Sequence, residues 1–237
     1  MRLALIGHGA MGRLVEARAR DEGHEVALVL SSRDAANGIA ELGERLRGLD
    51  MAIDFSVADA VLRNVSACAQ AKVPLVEGTT GWNARQSEVE RAVEQEGGAL
   101  VHGANFSVGV QIFYRMVAHA AELFAGLGAY DPFIEEAHHA RKRDAPSGTA
   151  IRLRDILSAR FGDSVTVAST RAGHIPGTHR VGFDSAADQI TLTHTARSRE
   201  GFASGALLAA GWLRGRQGIY DFSDVMDEIL NERMKLS

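Results

Sequence analysis

The sequence predicts an α/β protein in two parts, a doubly wound parallel sheet followed by a mixed α+β region. Three observations carry this. Short, unbroken apolar runs alternate with longer amphipathic ones as far as Phe106. A glycine-rich turn joins the first apolar run to the first amphipathic one. Beyond Phe106 the side chains change to strand-like alternation mixed with helical spacing. Apolar runs without alternation are expected of strands buried on both faces, and the segments between them supply the two covering layers.

Taken in order, residues 3–6, 26–30, 51–54, 73–77 and 99–102 are expected strands, and residues 11–22, 58–71 and 84–96 expected helices. A helix over 108–125 should end at Gly126 and Gly128, because residues without a Cβ enter the left-handed turn that terminates helices. A strand at 132–138 and a helix at 148–161 follow. Residues 164–169, 180–184 and 189–196 alternate in the strand manner, the last two as antiparallel partners joined at 185–188. Helices at 202–213 and 222–230 finish the chain and, on sequence alone, fit against either part. No internal repeat, low-complexity tract or flexible linker stands out.

At 237 residues the chain falls between one and two domains, at roughly 150 residues per domain. Its 46% hydrophobic and 24% charged residues are ordinary for a globular protein. A net charge of -4 gives no global attraction to nucleic acid or anionic membrane, so any anion site must be local. The one cysteine, Cys68, excludes an intrachain disulfide and a multi-cysteine metal site, and its apolar helical setting reads as core. The opening MRLALIGHGAMG lacks the apolar core of a secretion signal and the arginine-rich character of a transit segment. No run approaches the roughly 18 apolar residues of a membrane helix. The expected compartment is the cytoplasm, with no membrane or nucleic-acid partner.

Gly7-His8-Gly9-Ala10-Met11-Gly12 fits G-x-G-x-x-G at a strand-to-helix turn. There the first glycine permits the turn, the second lets a pyrophosphate reach the backbone, and the third lets helix and strand pack closely. The phosphates would meet free amides and the positive end of a helix. With the next strand–helix repeat behind it, this reads as a Rossmann-like dinucleotide domain taking NADPH, NADH or both. An acid about 20 residues on usually holds the ribose of NAD. Here the second strand ends Val29-Leu30-Ser31-Ser32-Arg33, with no carboxylate before Asp34. Arg33 could pair with a 2′-phosphate, so NADPH should be accepted. Two more loops follow strand ends, where ligands of open parallel sheets bind. They contain Gly78-Thr79-Thr80 and Gly103-Ala104-Asn105-Phe106, suited to the nicotinamide end.

The densest chemistry is the run from Glu135 to Thr149, EEAHHARKRDAPSGT. A basic run is commonly a solvated face. Here Ser147 stands where a helix cap belongs, so Gly148 and Thr149 would offer unpaired amides with a helix dipole behind them. Cations beside such amides suit a small molecule with more than one carboxylate. No aromatic residues interleave with the charge, which argues against a nucleic acid. His138 and His139, adjacent on a strand, point to opposite faces, and their neighbours are cationic, so no metal is expected.

In this run the chain resembles the dihydrodipicolinate (4-hydroxy-tetrahydrodipicolinate) reductase family, whose EAHHxxKxDAPSGTA signature reads EAHHARKRDAPSGTA here. The resemblance extends to the glycine turn, Asp54-Phe55-Ser56, Gly78-Thr79-Thr80-Gly81-Trp82, Asn105-Phe106-Ser107-Val108-Gly109, residues 173–179 and residues 193–199, in the family's order. It implies NAD(P)H-dependent reduction of a small cyclic dicarboxylate, 4-hydroxy-tetrahydrodipicolinate, to tetrahydrodipicolinate in diaminopimelate and lysine biosynthesis. It implies His138 as acid/base, Lys142 as a second proton donor, and His139, Gly148 and Thr149 as the carboxylate grip. Gly78 to Thr80 and Gly103 to Phe106 would line the cofactor, Arg33 would meet the 2′-phosphate, and Arg199 would face the substrate near a hinge. The implied organisation is a dinucleotide domain of residues 1–107 and 200–237 around an inserted substrate and tetramerisation domain of residues 108–199, the two closing over their ligands in a homotetramer. The chain departs from many relatives in a glycine turn one residue shorter, with Ala10 before Met11, and in Ser-Ser-Arg ending the second strand. Both leave the nicotinamide preference open. A related amino-acid dehydrogenase would share the first domain but not the signature, and a non-catalytic NADPH-binding regulator would be expected to lack His138 or Lys142.

Overall fold

The structure is a computed structural model that describes residues 1–34 and 36–235; residue 35 and residues 236–237, which end the expected first domain, lie outside the described residues. In chain order the elements are β1 (Arg2–Ile6), α1 (Ala10–Asp21), β2 (Glu25–Leu30), α2 (Ile39–Leu46), β3 (Met51–Asp54), α3 (Val61–Ala71), β4 (Leu75–Glu77), α4 (Gln86–Glu96) and β5 (Ala99–His102). Then come α5 (Val108–Phe124), β6 (Asp131–His138), α6 (Gly148–Phe161), β7 (Thr166–Arg171), β8 (Thr178–Asp184) and β9 (Gln189–Thr195). The chain closes with α7 (Glu200–Leu213), β10 (Gly218–Asp221) and α8 (Phe222–Lys235). It divides into two compact units, Met1–Val108 with Arg199–Ser237, and Gly109–Ser198.

The first unit is built on a six-stranded sheet of order β10-β5-β4-β3-β1-β2, every pairing parallel. Successive residues of a strand face opposite ways, and β1 shows the result. Leu3 and Leu5 enter one core with Val15 and with Ala206, Ala210 and Met226 from α7 and α8. Ala4 and Ile6 enter the other with Leu46, Val65 and Leu75. This is the Rossmann-like doubly wound sheet that the apolar runs foretold.

Two elements were not foreseen. Gly38 and Gly43 depress helix propensity around α2, and it is the burial of Leu42 and Leu46, one turn apart, that makes the helix. β10 is only four residues long, half-exposed, and becomes a strand by pairing with the sheet edge at β5.

The second unit holds a four-stranded mixed sheet of order β7-β6-β8-β9. β6 runs parallel to β7 and antiparallel to β8, and β8 antiparallel to β9. The β8–β9 turn is closed by the Ser185 amide donating to the Asp188 carbonyl at 2.9 Å. Residues of α5 and α6 (Phe113, Val117, Leu153, Leu157) pack with Ile134, Val181 and Phe183 in its core. β7 starts two residues later than expected, after a short 3-10 turn at Gly162–Ser164, and so carries Arg171. On β6 the residues Ile134, Glu136 and His138 form the buried face. Among the described residues no helix is long and apolar enough to cross a membrane.

Candidate active site

In the first unit the glycine turn divides its tasks as the pattern requires. Gly7 has φ +89°, and a Cβ there would strike the Phe55 backbone; one at Gly12 would strike the Gly7 carbonyl. At Gly9 a Cβ would meet nothing within 4 Å. Two glycines are thus demanded by packing, while the third leaves open space. Gly9 caps α1 without any side-chain hydrogen bond, so the first amides of that helix remain available to an anion.

The turn borders a cavity of 410 Å³ lined by Gly7, His8, Gly9, Ser31, Ser32 and Asp34, with Arg63 on α3 also in its wall. Ala10 and Met11 lie on the first turn of α1, Ala10 exposed and Met11 half-buried. Arg33 is exposed and does not line this cavity, whereas its neighbour Asp34 does. Asp34 accepts from Arg45 at 2.7 Å and from the Ser31 amide at 2.8 Å, and these two bonds hold its carboxyl below the usual range. His8 is tied to Glu16, 2.7 Å away.

Behind the next two loops lies a pair of buried carboxyls. Asp54 ends β3 and Glu77 ends β4, side by side in register and fully buried. Asp54 accepts from the Ser56 amide and from Asn64 Nδ2, both at 2.7 Å. One oxygen of Glu77 accepts from the Thr79 amide at 2.7 Å, and its carboxyl also meets that of Asp54. No arginine or lysine pairs with either group among the described residues. Burial, and then the charge of Asp54, pushes Glu77 well above the usual carboxylate range, and burial also raises Asp54. Such a pair keeps a proton between its members.

The pair shapes the loops expected to meet the cofactor. The Ser56 amide also donates to Thr79 Oγ1 at 3.0 Å, and Trp82 Nε1 donates to the Thr79 carbonyl at 2.8 Å. Gly78 is required because a Cβ would enter the Phe55 ring, and one at Gly103 would come within 2.9 Å of Phe222. Thr80 and Ala104 are exposed on their loops. Asn105 accepts from the Ser107 amide at 2.9 Å. Phe106 is 1% exposed and stacks on Phe222 with ring centres 4.5 Å apart, so only its backbone is left to face a ligand.

In the second unit the site is built around the end of β6. His138 Nδ1 makes a short hydrogen bond to Glu136 Oε2, two residues back on the same face. Glu136 Oε1 accepts from Arg171 on β7 at 2.6 Å, and Arg171 also donates to the Asp144 carbonyl at 2.5 Å. The Ser147 amide lies 3.4 Å from the same carboxylate oxygen. Burial would raise Glu136, but hydrogen bonds from Arg171 and Ser169 and the charge of His138 outweigh it and hold the carboxyl at about 2. Burial lowers His138 and outweighs the opposite pull of Glu136.

His179 on β8 stands edge-on to His138, ring centres 5.1 Å apart, with Nε2 3.0 Å from Ser147 Oγ. Burial, then the charge of His138, takes it down to about 4, so it is neutral at pH 7. Ser147 caps α6 as expected, its Oγ accepting from the Ala150 amide at 3.2 Å. A Cβ at Gly148 would meet nothing within 4 Å, so the space over the first amides of α6 is open. Thr149 is contacted by the Tyr114 hydroxyl. Lys142 Nζ pairs with Asp144 at 2.9 Å, near enough to His138 for its charge to be felt there. His139 keeps a buried Nδ1 without a partner. Arg199 is the residue at which the chain re-enters the first unit.

Sequence reasoning gave no role to Glu136, Arg171 or His179. Glu136 did leave a signal, an acid on the buried face two residues before a histidine. Arg171 and His179 arrive from neighbouring strands through the registers His138–Arg171 and Glu136–His179, which no local spacing encodes. Glu136, His138 and His179 also bring ligating atoms within 4.8 Å of one another, a grouping missed by weighing His138 against His139 alone. Both oxygens of Glu136 and Nδ1 of His138 are already engaged, and the charges of Arg171 and Lys142 oppose a cation there.

Comparison with known proteins covers both units. Residues 1–106 match the family profile for the dihydrodipicolinate reductase N-terminus and residues 109–226 that for its C-terminus. A 4-hydroxy-tetrahydrodipicolinate reductase of Christiangramia forsetii is 34% identical over 97% of this chain and 99% of its own length. Another, of Methanosarcina barkeri, is 39% identical over 75% of this chain and 73% of its own. Among solved structures, a dipicolinate-bound dihydrodipicolinate reductase from a Paenisporosarcina species has the same fold, with TM-score 0.79 and 21% identity over 95% of this chain and 99% of that one. With both profiles placed in order along its length, the chain belongs to the dihydrodipicolinate reductase family.

Proposed function

We propose that this chain reduces 4-hydroxy-tetrahydrodipicolinate to tetrahydrodipicolinate with a reduced nicotinamide dinucleotide, a step toward diaminopimelate and lysine. The observation that carries the reading is the match of both family profiles together with a near full-length relative of that activity. The first unit fits a dinucleotide on its own geometry, with open space at Gly9, uncapped amides at the start of α1 and a cavity beside them. Gly7 to Gly12 would hold the pyrophosphate. Ser31 and Ser32, in the cavity wall, would meet the adenosine ribose, with Arg33 on the exposed turn between Ser32 and Asp34. The loops Gly78–Thr79–Thr80 and Gly103 to Phe106 would meet the nicotinamide. Bound there, the cofactor supplies a hydride to C4 of the substrate ring.

The second unit binds and protonates the substrate. The open amides of Gly148 and Thr149, with His139, take the carboxylates, an orienting effect. After loss of the 4-hydroxyl as water and reduction at C4, the electron-rich substrate enamine needs a proton at C3. His138, with Lys142 beside it, provides the acid. The largely exposed edge strand β9, with Ile190 47% exposed, supports a homotetramer formed through this sheet; the compartment proposed for it is the cytoplasm.

The test follows cofactor oxidation at the nicotinamide absorbance, with substrate generated in situ from pyruvate and aspartate semialdehyde by the preceding synthase. Oxidation is expected with at least one of NADPH and NADH. Cofactor binding without any oxidation would sink the reading and favour a regulator. Lys142→Ala should lower kcat about 100-fold with little change in KM for the cofactor; near-normal turnover would remove Lys142 from the mechanism.

A further inference from the structure

We infer that Glu136 is a positioning residue for the reductase reaction: its carboxylate fixes the ring of His138 through Nδ1 and binds it to the helix start that takes the substrate. The inference rests on the proposal that His138 is the acid. Glu136 is 2% exposed and has no access to bulk solvent, so its contacts define what it does. One oxygen takes Nδ1 of His138. The other takes Arg171 at 2.6 Å and faces the Ser147 amide at 3.4 Å, at the cap of α6. One carboxylate therefore touches both the acid and the carrier of the carboxylate-binding amides.

The proton count follows from this geometry. A carboxylate is acceptor-only, so Nδ1 must carry a hydrogen in both charge states of the ring. Nε2 is left as the nitrogen that gains and loses the catalytic proton. Its setting agrees, since a Cβ on Gly177, a residue with φ +129°, would stand 3.2 Å from it, and glycine leaves that side clear. In the reaction, protonated His138 gives its Nε2 hydrogen to C3 of the reduced substrate and becomes the neutral Nδ1–H form, still donating to Glu136. No electrons move in this step, and the proton returns from solvent before the next turnover.

Other charged or titratable groups act on the same ring. Lys142 and Arg171 disfavour the imidazolium, and His179, itself facing His194, stands edge-on to it. Glu136 is the one anion among these groups and the one that favours the protonated acid.

The test uses Glu136→Gln, which keeps the shape and an acceptor for Nδ1–H but removes the charge. A second variant, Glu136→Gln with Arg171→Met, avoids leaving a buried arginine unpaired. Both are compared with His138→Gln in steady-state pH profiles, and histidine ring nitrogens are followed by NMR. In Glu136→Gln the limb of the kcat profile that reports the protonated acid should move acidward by about one pH unit or more, the scale of losing an adjacent opposite charge. In the double variant, which also removes the opposing charge of Arg171, it should move acidward by less. Turnover at pH 7.5 should fall about tenfold, while KM for the cofactor stays within about twofold. The Nδ1–H signature of His138 should weaken. An unmoved limb and tautomer in both variants, with His138→Gln inactive, would overturn the role of Glu136 alone. Wild-type turnover in His138→Gln would overturn the acid assignment and this inference with it.

Discussion

Glu136 in the second unit and the Asp54–Glu77 pair in the first are equally hidden from solvent, yet one is held as an anion and the other retains a proton. Desolvation pushes all three carboxyls the same way. The difference lies in what the neighbouring strand delivers. Across β6 and β7, Glu136 meets Arg171, and along its own strand it meets His138. Across β3 and β4, Asp54 meets another acid. Burial thus sets a penalty on charge, and register decides whether a cation offsets it. The charged group stands beside a proton-transfer residue. The proton-sharing pair stands beneath loops whose backbone amides it gathers.

The largest way to break this contrast is to take away the cation. Arg171→Leu should cost about 3 kcal/mol or more of unfolding free energy, because it strands a buried carboxylate. Chemical denaturation at pH 7 would measure it, and a loss below about 0.5 kcal/mol would mean that Arg171 is not what keeps Glu136 ionised. Wild-type stability on the acid side belongs to the same argument. The lowered Glu136 carboxyl contributes stability that is present above about 4.5 and lost as pH falls toward about 2.

A smaller effect with the opposite pH dependence is expected from Glu77→Gln, whose amide imitates the protonated carboxyl. The raised pKa of Glu77 means its stabilising contribution is complete below the usual carboxylate range and is lost as pH rises through the folded value. The variant should therefore melt about 2–4 °C higher than wild type at pH 8, the shift expected for roughly 1 kcal/mol in a chain of this size, with the gap closing near pH 4. A gap that widens on acidification would refute the shared proton.

The smallest effect concerns the carboxylate at the cavity rim. Asp34 is paired with Arg45, leaving Arg33 beside it as an exposed cation. Arg33→Ala should raise KM for NADPH severalfold more than for NADH. Equal changes would show that Arg33 does not read the 2′-phosphate.

Much of this could be seen in the chain before folding. The parallel strands announced themselves as unbroken apolar runs, and the glycine turn carried its three separate demands in its spacing. The signature run gave the cap at Ser147 and the nearness of Lys142 to His138, because strand end, loop and helix start are contiguous. What escaped were features made by pairing. β10 has four residues and no pattern of its own. α2 contains a glycine and is helical because Leu42 and Leu46 find a core. Arg171 and His179 reach His138 from strands some 30 to 40 positions away, through a register that depends on where β7 begins. Phe106 lies on a loop expected at the cofactor, and with its ring stacked on Phe222 it can offer only its backbone there.

The return of the chain into the first unit bears on how the molecule is made. Leu3, Leu5 and Ile53, which precede the insert, share their core with Ala203, Ala206, Leu213 and Met226, which follow it. The second unit, Gly109–Ser198, is complete by then and depends on none of that late segment for its own core. During synthesis the sheet that starts the protein would therefore have one apolar face only partly covered until α7 and α8 are made. A chain interrupted within α7 would present that face to its neighbours, the kind of exposure that leads to aggregation. The segment that follows the insert is the one that closes the sheet begun before it.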